Sequence, residues 1–274
     1  VSVPSMGGHA HGAAAAGGFL DGVVLALAAL AILTYVAAVV VSHRRGREWP
    51  RVRVAAWIAG VVLAAAALAG PFAAAAHGDY VAHMGTHLLA GMLAPVLLVL
   101  AAPVTLALRT LPVTPARRLS ALLRSPVVRV ISHPVTAALL SAGGLWVIYL
   151  TPVFEAMSDP LVHVLVHGHL LAAGYLFTSA VIGRDPAPHR PSRPVVAAVL
   201  VLAIASHAIL AKYLYAQPPA GVPLADAQAG AQFMYYAGAW VEAAIILVFC
   251  ADWYRAAGRD LRVGPQPVST SSVK

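Results

Sequence analysis

Five histidines in apolar surroundings carry the chemistry of this 274-residue chain. His83 and His87 stand four apart in AHMGTHLL, His163 and His167 four apart in VHVLVHGH, and His207 lies inside a further apolar run. Imidazoles four apart share one helix face, so two such faces that meet would offer nitrogen donors to one ion. Ionisable side chains within a bilayer are costly and usually face a bundle interior or a cavity. Imidazole suits copper, zinc, iron and nickel, while thioether sulfur selects Cu(I). Met84 and Met234 fall near the same level, and His77 lies in the adjoining turn. Histidine with methionine and without thiolate points to copper, as Cu(I) or Cu(II), with zinc as the alternative. Met6, His9 and His11 in SMGGHAHG add a flexible outer segment, residues 1–18, that could gather a soft ion ahead of the first helix.

The elements that must position these residues are membrane helices. Hydrophobic residues make up 60% of the chain and charged ones 10%, with mean hydropathy +0.80, against about 25% charged in a soluble domain. The fold class expected is therefore all-α: a polytopic membrane protein built as a seven-transmembrane-helix bundle over residues 19–254. A span needs about 20 apolar residues, and seven runs qualify: 19–41, 54–76, 81–108, 135–152, 161–182, 195–215 and 231–252. Seventeen of the eighteen Lys and Arg fall in alternate connections (42–53, 109–134, 183–194) or after 252. The opposite connections hold Asp79, Glu155, Asp159 and Asp226 and no basic residue. By the positive-inside rule the amino terminus lies outside and the carboxyl terminus inside, and the net charge of +8 reflects topology, not nucleic-acid binding. The opening segment lacks a basic n-region, so the first helix is not expected to be a cleaved signal. Residues 255–274 are expected as a disordered cytoplasmic tail.

At 1.5 Å per residue, His83 and His163 sit just below the outer surface. His87 and His167 lie about 10 Å down, and His207 about 12 Å down. The result is one outward-facing layer, with Glu242 deeper. Each residue also has a plainer role. An intramembrane His can serve as a helix–helix hydrogen-bond partner worth about 0.6 kcal/mol, methionines pack, and Glu242 can bond across helices. His169, two residues past His167, points about 200° away, and His43, His133 and His189 stand beside arginines in inner loops. Asp21 and Asp79 fit helix caps. Pro95 and Pro103 predict a kink in the third span, and Gly70-Pro71 a bend at the end of the second. Cys250, the single cysteine, permits no disulfide within the chain.

The block HMGTHLLAGMLAPVLLVLAAPVTLALR (83–109) resembles the CtaG-like membrane family, associated with assembly of caa(3)-type cytochrome c oxidase. Further blocks agree in order: SHPVTAALLSAGGLW (132–146), VHVLVHGHLLAAGYLFTSAVIGRDPAPHRPS (162–192), SHAILAKYL (206–214) and LADAQAGAQFMYY (224–236). The resemblance implies a seven-helix assembly factor in a bacterial cell membrane that binds copper and helps deliver it to oxidase subunits, with membrane lipid around it. His83, Met84, His87, His163, His167 and His207 match its motifs, as do Asp226, Gln228, Gly230 and Met234. The chain departs from the family pattern in places: Tyr149 and Leu150 stand where many members carry a histidine before the proline, Tyr235 replaces a tryptophan, and Ala227 a glutamine.

Two enzymatic or cofactor-based alternatives use the same histidines. A zinc-dependent intramembrane hydrolase would hold Zn on three of them, lower the pKa of bound water to about 7, and use Ser206, Asp79 or Glu242 as proton acceptor. No HExxH pattern supports it. A haem-binding membrane protein would take axial ligands from the third and fifth spans. The expectation preferred here is a copper-binding assembly factor and not an enzyme.

Overall fold

Proline and glycine cut the apolar runs into helices. The computed structural model describes the backbone of residues 7–189 and 191–263 and the side chains of 17–189 and 191–258. Every regular element among them is helical. Helices α1 (Gly7–Arg44) and α2 (Arg51–Leu68) are followed by a short α3 (Gly70–Ala75). The break at Ala69 and Gly70 follows from Gly70 at φ 81 ahead of Pro71, and the Asp21 carboxylate on α1 accepts from the freed Gly70 N–H at 3.1 Å. That is the bend expected from Gly70-Pro71.

The third span is the most broken. It comprises α4 (Tyr80–Leu88), a π-helical turn (Leu89–Leu93), α5 (Ala94–Leu100) and α6 (Pro103–Thr110). Pro103 disfavours right-handed helix at the preceding residue, and Ala102 is left-handed at φ 52. Asp185 caps the new start, accepting from the backbone N–H groups of Val104 (3.2 Å) and Thr105 (2.7 Å). Two short helices, α7 (Val113–Leu123) and α8 (Pro126–Ile131), bury none of their residues. Then come α9 (Pro134–Ala138), a second π-helical turn (Leu139–Gly143), α10 (Gly144–Leu150), α11 (Val153–Ala156), α12 (Pro160–Val181), α13 (Arg193–Ala216) and α14 (Leu224–Val263).

Among the described residues, six helical runs are long and apolar enough to cross a membrane: 17–44, 51–75, 80–110, 160–181, 193–216 and 224–258. The seventh expected span, Pro134–Leu150, is apolar but shorter. Pro152 disfavours helix at Thr151, which is extended. Its 17 residues reach about 26 Å, against a hydrocarbon core of about 30 Å. Two terminal expectations also shift. The chain is helical from Gly7, where residues 1–18 were expected as a flexible arm, and Met6 and the side chains of His9 and His11 lie outside the described residues. Helix α14 continues through Val263, past the expected start of the tail at 255, and residues 264–274 lie outside the described residues.

α12 runs through the middle of the bundle, against α2, α5, α9 and the first π turn. The arginine-bearing connections meet at one end: Arg45 donates to the Arg109 carbonyl (3.0 Å), Arg53 and Arg109 flank the Trp49 ring, and Arg184 pairs with Asp252 (3.2 Å). The histidine pairs occupy the other end.

Candidate metal centre

α4 and α12 open identically. Asp79 Oδ1 accepts from Val81 N–H (2.8 Å) and Ala82 N–H (3.2 Å), and Asp159 Oδ1 accepts from Leu161 N–H (2.8 Å) and Val162 N–H (3.2 Å). A capping carboxylate satisfies orphan donors and complements the helix dipole. In both helices histidines follow at the fourth and eighth residues after the cap, giving Asp79-His83-His87 and Asp159-His163-His167. The repeated Asp-x3-His-x3-His sets both pairs at equal depth on facing helices, a signal the sequence reading passed over.

The rings form a ladder. His77, exposed in the α3–α4 turn, lies 5.0 Å from His163 between centroids. His163 stacks on His167 at 4.1 Å, His167 is 5.0 Å from His87, and His87 is 4.5 Å from His83. All four beyond His77 are buried. Tyr80, Tyr149 and Phe154 wall the group, at 5.8, 5.5 and 5.3 Å from His83, His87 and His83 respectively. Two ligating rings with nitrogens about 2.0 Å from a shared ion have centroids roughly 5 Å apart, so neighbouring rings are close enough to share one.

Their nitrogens are less convergent than the rings. His167 Nδ1–H donates to the His163 carbonyl at 2.9 Å, and its Nε2 lies 3.0 Å from the Thr86 hydroxyl. That hydroxyl is also 2.7 Å from the His83 carbonyl. Its one proton serves one acceptor at a time, so rotation toward His83 frees the His167 lone pair. His83 Nε2, both nitrogens of His87 and His163 Nε2 are buried without any hydrogen-bond partner. Among the described residues no three His, Cys, Asp or Glu side chains are disposed to hold one ion together. The rings therefore meet in neighbouring pairs, short of the three protein ligands that a catalytic zinc site would take. Haem is no better served: rings 4–5 Å apart leave no slot for a macrocycle, and the cavity beside His87 is about 30 Å³.

The methionines lie in apolar packing. Met84 and Met234 share one buried core with Tyr149, whose hydroxyl donates to Met84 Sδ at 3.4 Å. Tyr149 thus lies between the cluster and this core, its ring 5.5 Å from His87 and its hydroxyl on Met84. His207 does not join the ladder. Its Nδ1–H donates to Glu242 at 2.9 Å, and its ring lies over Gly238, where any β-carbon would collide with it. The register of α13 against α14 decides this and sets His207 against Glu242, apart from the other four rings. His169 Nε2–H donates to the Leu140 carbonyl (3.1 Å) in the second π turn, on the side away from the cluster. Thr86, Tyr80 and Phe154 were not foreseen, since none carries a metal-ligand signature.

No solved structure matches the chain. It is 40% identical over 183 residues to an uncharacterised protein of Mycobacterium bovis and equally to one of Mycobacterium tuberculosis, covering 63% of this chain and 26% of each relative. An uncharacterised protein of Mycobacterium leprae is 36% identical over 182 residues, covering 62% of this chain and 27% of its own length. The chain thus spans about a quarter of the length of the curated relatives it matches. A family model described as cytochrome c oxidase caa3 assembly factor matches residues 33–256, a stretch containing both Asp-x3-His-x3-His helices and the His207–Glu242 pair, and the chain belongs to that family.

Proposed function

We propose that this assembly factor binds copper in the His83, His87, His163 and His167 cluster and passes it to a cytochrome c oxidase subunit. The observation carrying this reading is the set of four unpartnered ring nitrogens in a buried site. A buried polar atom without a partner costs about 1–3 kcal/mol, which a fold retains where a ligand supplies the missing bonds. Cu(I) is a d10 ion that accepts two or three soft or borderline ligands, matching imidazoles that pair but do not converge in threes. Exposed His77 is the entry ligand, and Thr86 gates the His167 nitrogen. Tyr149 holds Met84 sulfur beside the cluster, within reach as an adjunct ligand once the phenol turns away.

In this reading Pro134–Leu150 is a short seventh span, and the arginine-bearing end faces the cytoplasm of a bacterial cell. The histidine end and the amino terminus then face outside. Partners are oxidase subunits and membrane lipid, and no chemical turnover is involved. The test is elemental mass spectrometry of protein purified from copper-supplemented cells. Wild type should carry copper, and His83→Ala, His87→Ala and His163→Ala should each lose most of it. Copper retained at full stoichiometry by the triple variant defeats the site, and zinc or iron in its place defeats the metal.

A further inference from the structure

The geometry points to a second, deeper station for the same soft cation at His207 and Glu242, an inference resting on the reading that the upper cluster binds such an ion. The pair joins α13 to α14 with both side chains buried, at 7% and 9% exposure. With the neutral ring donating Nδ1–H to the carboxylate, the lone pair stands on Nε2, on the side of the imidazole away from Glu242. A carboxylate behind one imidazole nitrogen, with the other left free, is how proteins orient a metal-ligating histidine. Gly238 is what admits the ring, since a side chain there would occupy its place.

Two cavities give that nitrogen company. One of about 30 Å³ is lined by both His87 and His207, together with Met92, Ser141 and Met234. It lies between one ring of the four-histidine cluster and His207 and is lined by two thioethers, the ligand that selects Cu(I). The other, about 50 Å³, is lined by His207, Glu242, Ser141 and Thr178. Each exceeds the roughly 10–15 Å³ that holds one water, and a bare ion is smaller. The backbone is unusual at the same place. Both π-helical turns, Leu89–Leu93 and Leu139–Gly143, contribute lining residues, and π turns occur frequently at functional sites. Glu242 also lines the second of these cavities, where a carboxylate would balance the charge of a monovalent cation.

The experiment is an anaerobic Cu(I) titration of the detergent-solubilised full chain against a chromophoric Cu(I) chelator. Wild type should bind two equivalents. Glu242→Gln keeps the acceptor for His207 and removes only the charge. It should weaken one equivalent by about 10–100-fold and leave the other unchanged. Met92→Leu, which keeps volume and removes sulfur, should weaken the same equivalent. His163→Ala should affect the other one. A single equivalent abolished by His163→Ala and indifferent to Glu242→Gln and Met92→Leu overturns the second station and leaves the upper cluster standing. No Cu(I) bound by wild type overturns both.

Discussion

Replacing His87 by leucine should make the copper-free protein more stable, which is the reverse of the usual outcome for a buried histidine. His87 is 3% exposed and neither ring nitrogen has a partner. A neutral imidazole buries one donor and one acceptor, and each unpaired group costs about 1–3 kcal/mol. Leucine has neither group and a comparable volume. Some packing against His83, Tyr149 and His167 is lost, since these rings lie 4.5, 5.5 and 5.0 Å away. A net gain of about 1–2 kcal/mol remains, which for a domain of this size is roughly 3–8 °C in Tm. Copper should then reverse the order. A ligand at a hundred times its Kd stabilises by about 2.7 kcal/mol, and His87→Leu forgoes the share that the four-histidine cluster supplies. Thermal unfolding in detergent, followed by tryptophan fluorescence with chelator and then with Cu(I), reads both halves. If stripped His87→Leu melts below stripped wild type, those nitrogens are satisfied by structural partners and the case for a ligand site loses its foundation.

Two further outcomes follow from the helix starts and the close packing. Asp159→Ala and Asp79→Ala should each lower stability by about 1 kcal/mol and weaken Cu(I) binding measured by chelator competition, and Asn at either position should restore most of both. Gly174→Ala would drive a β-carbon into the Gly91 carbonyl and the Pro95 ring, backbone and a fixed ring that cannot rotate aside. A loss of about 1–3 kcal/mol or more is expected, seen as a lower Tm and poorer monodispersity, while Gly168→Ala, which meets nothing within 4 Å, should behave as wild type.

What could be read in advance was whatever depends on local spacing. The i,i+4 histidine pairs, the bend at Gly70-Pro71, the break before Pro103 and the Asp79 cap all follow from residues within one or two turns of each other. What could not be read depends on how one helix is rotated and shifted against another. His207 was placed in the upper layer because depth can be counted along a helix, but its partner is set by Gly238 and Glu242 on α14. The π turns leave no periodic signature, since one extra residue in a helix looks like any other apolar residue. The fourth apolar run was read on to residue 152, whereas Pro152 forces Thr151 out of helix and the helix closes at Leu150. Tyr149 was noticed as a departure from family pattern, yet only the packing shows it against His87 and Met84.

The incomplete convergence of the ring nitrogens bears on which kind of protein this is. Four ligands closing on one ion give a site that keeps its metal, as structural zinc sites do. An assembly factor that delivers an ion has the opposite requirement, because each bond made on capture must be broken on release. Rings following one another at 4.1–5.0 Å from exposed His77 through His163, His167 and His87 to His83 would let an ion be held by successive pairs, each new bond forming as an old one is lost. No single position is then deep enough to trap it. The energetic consequence falls on the copper-free state, which keeps four buried nitrogens unsatisfied, and this is why the stability of that state, more than any affinity, is the sharpest measure of whether the ladder is there for an ion.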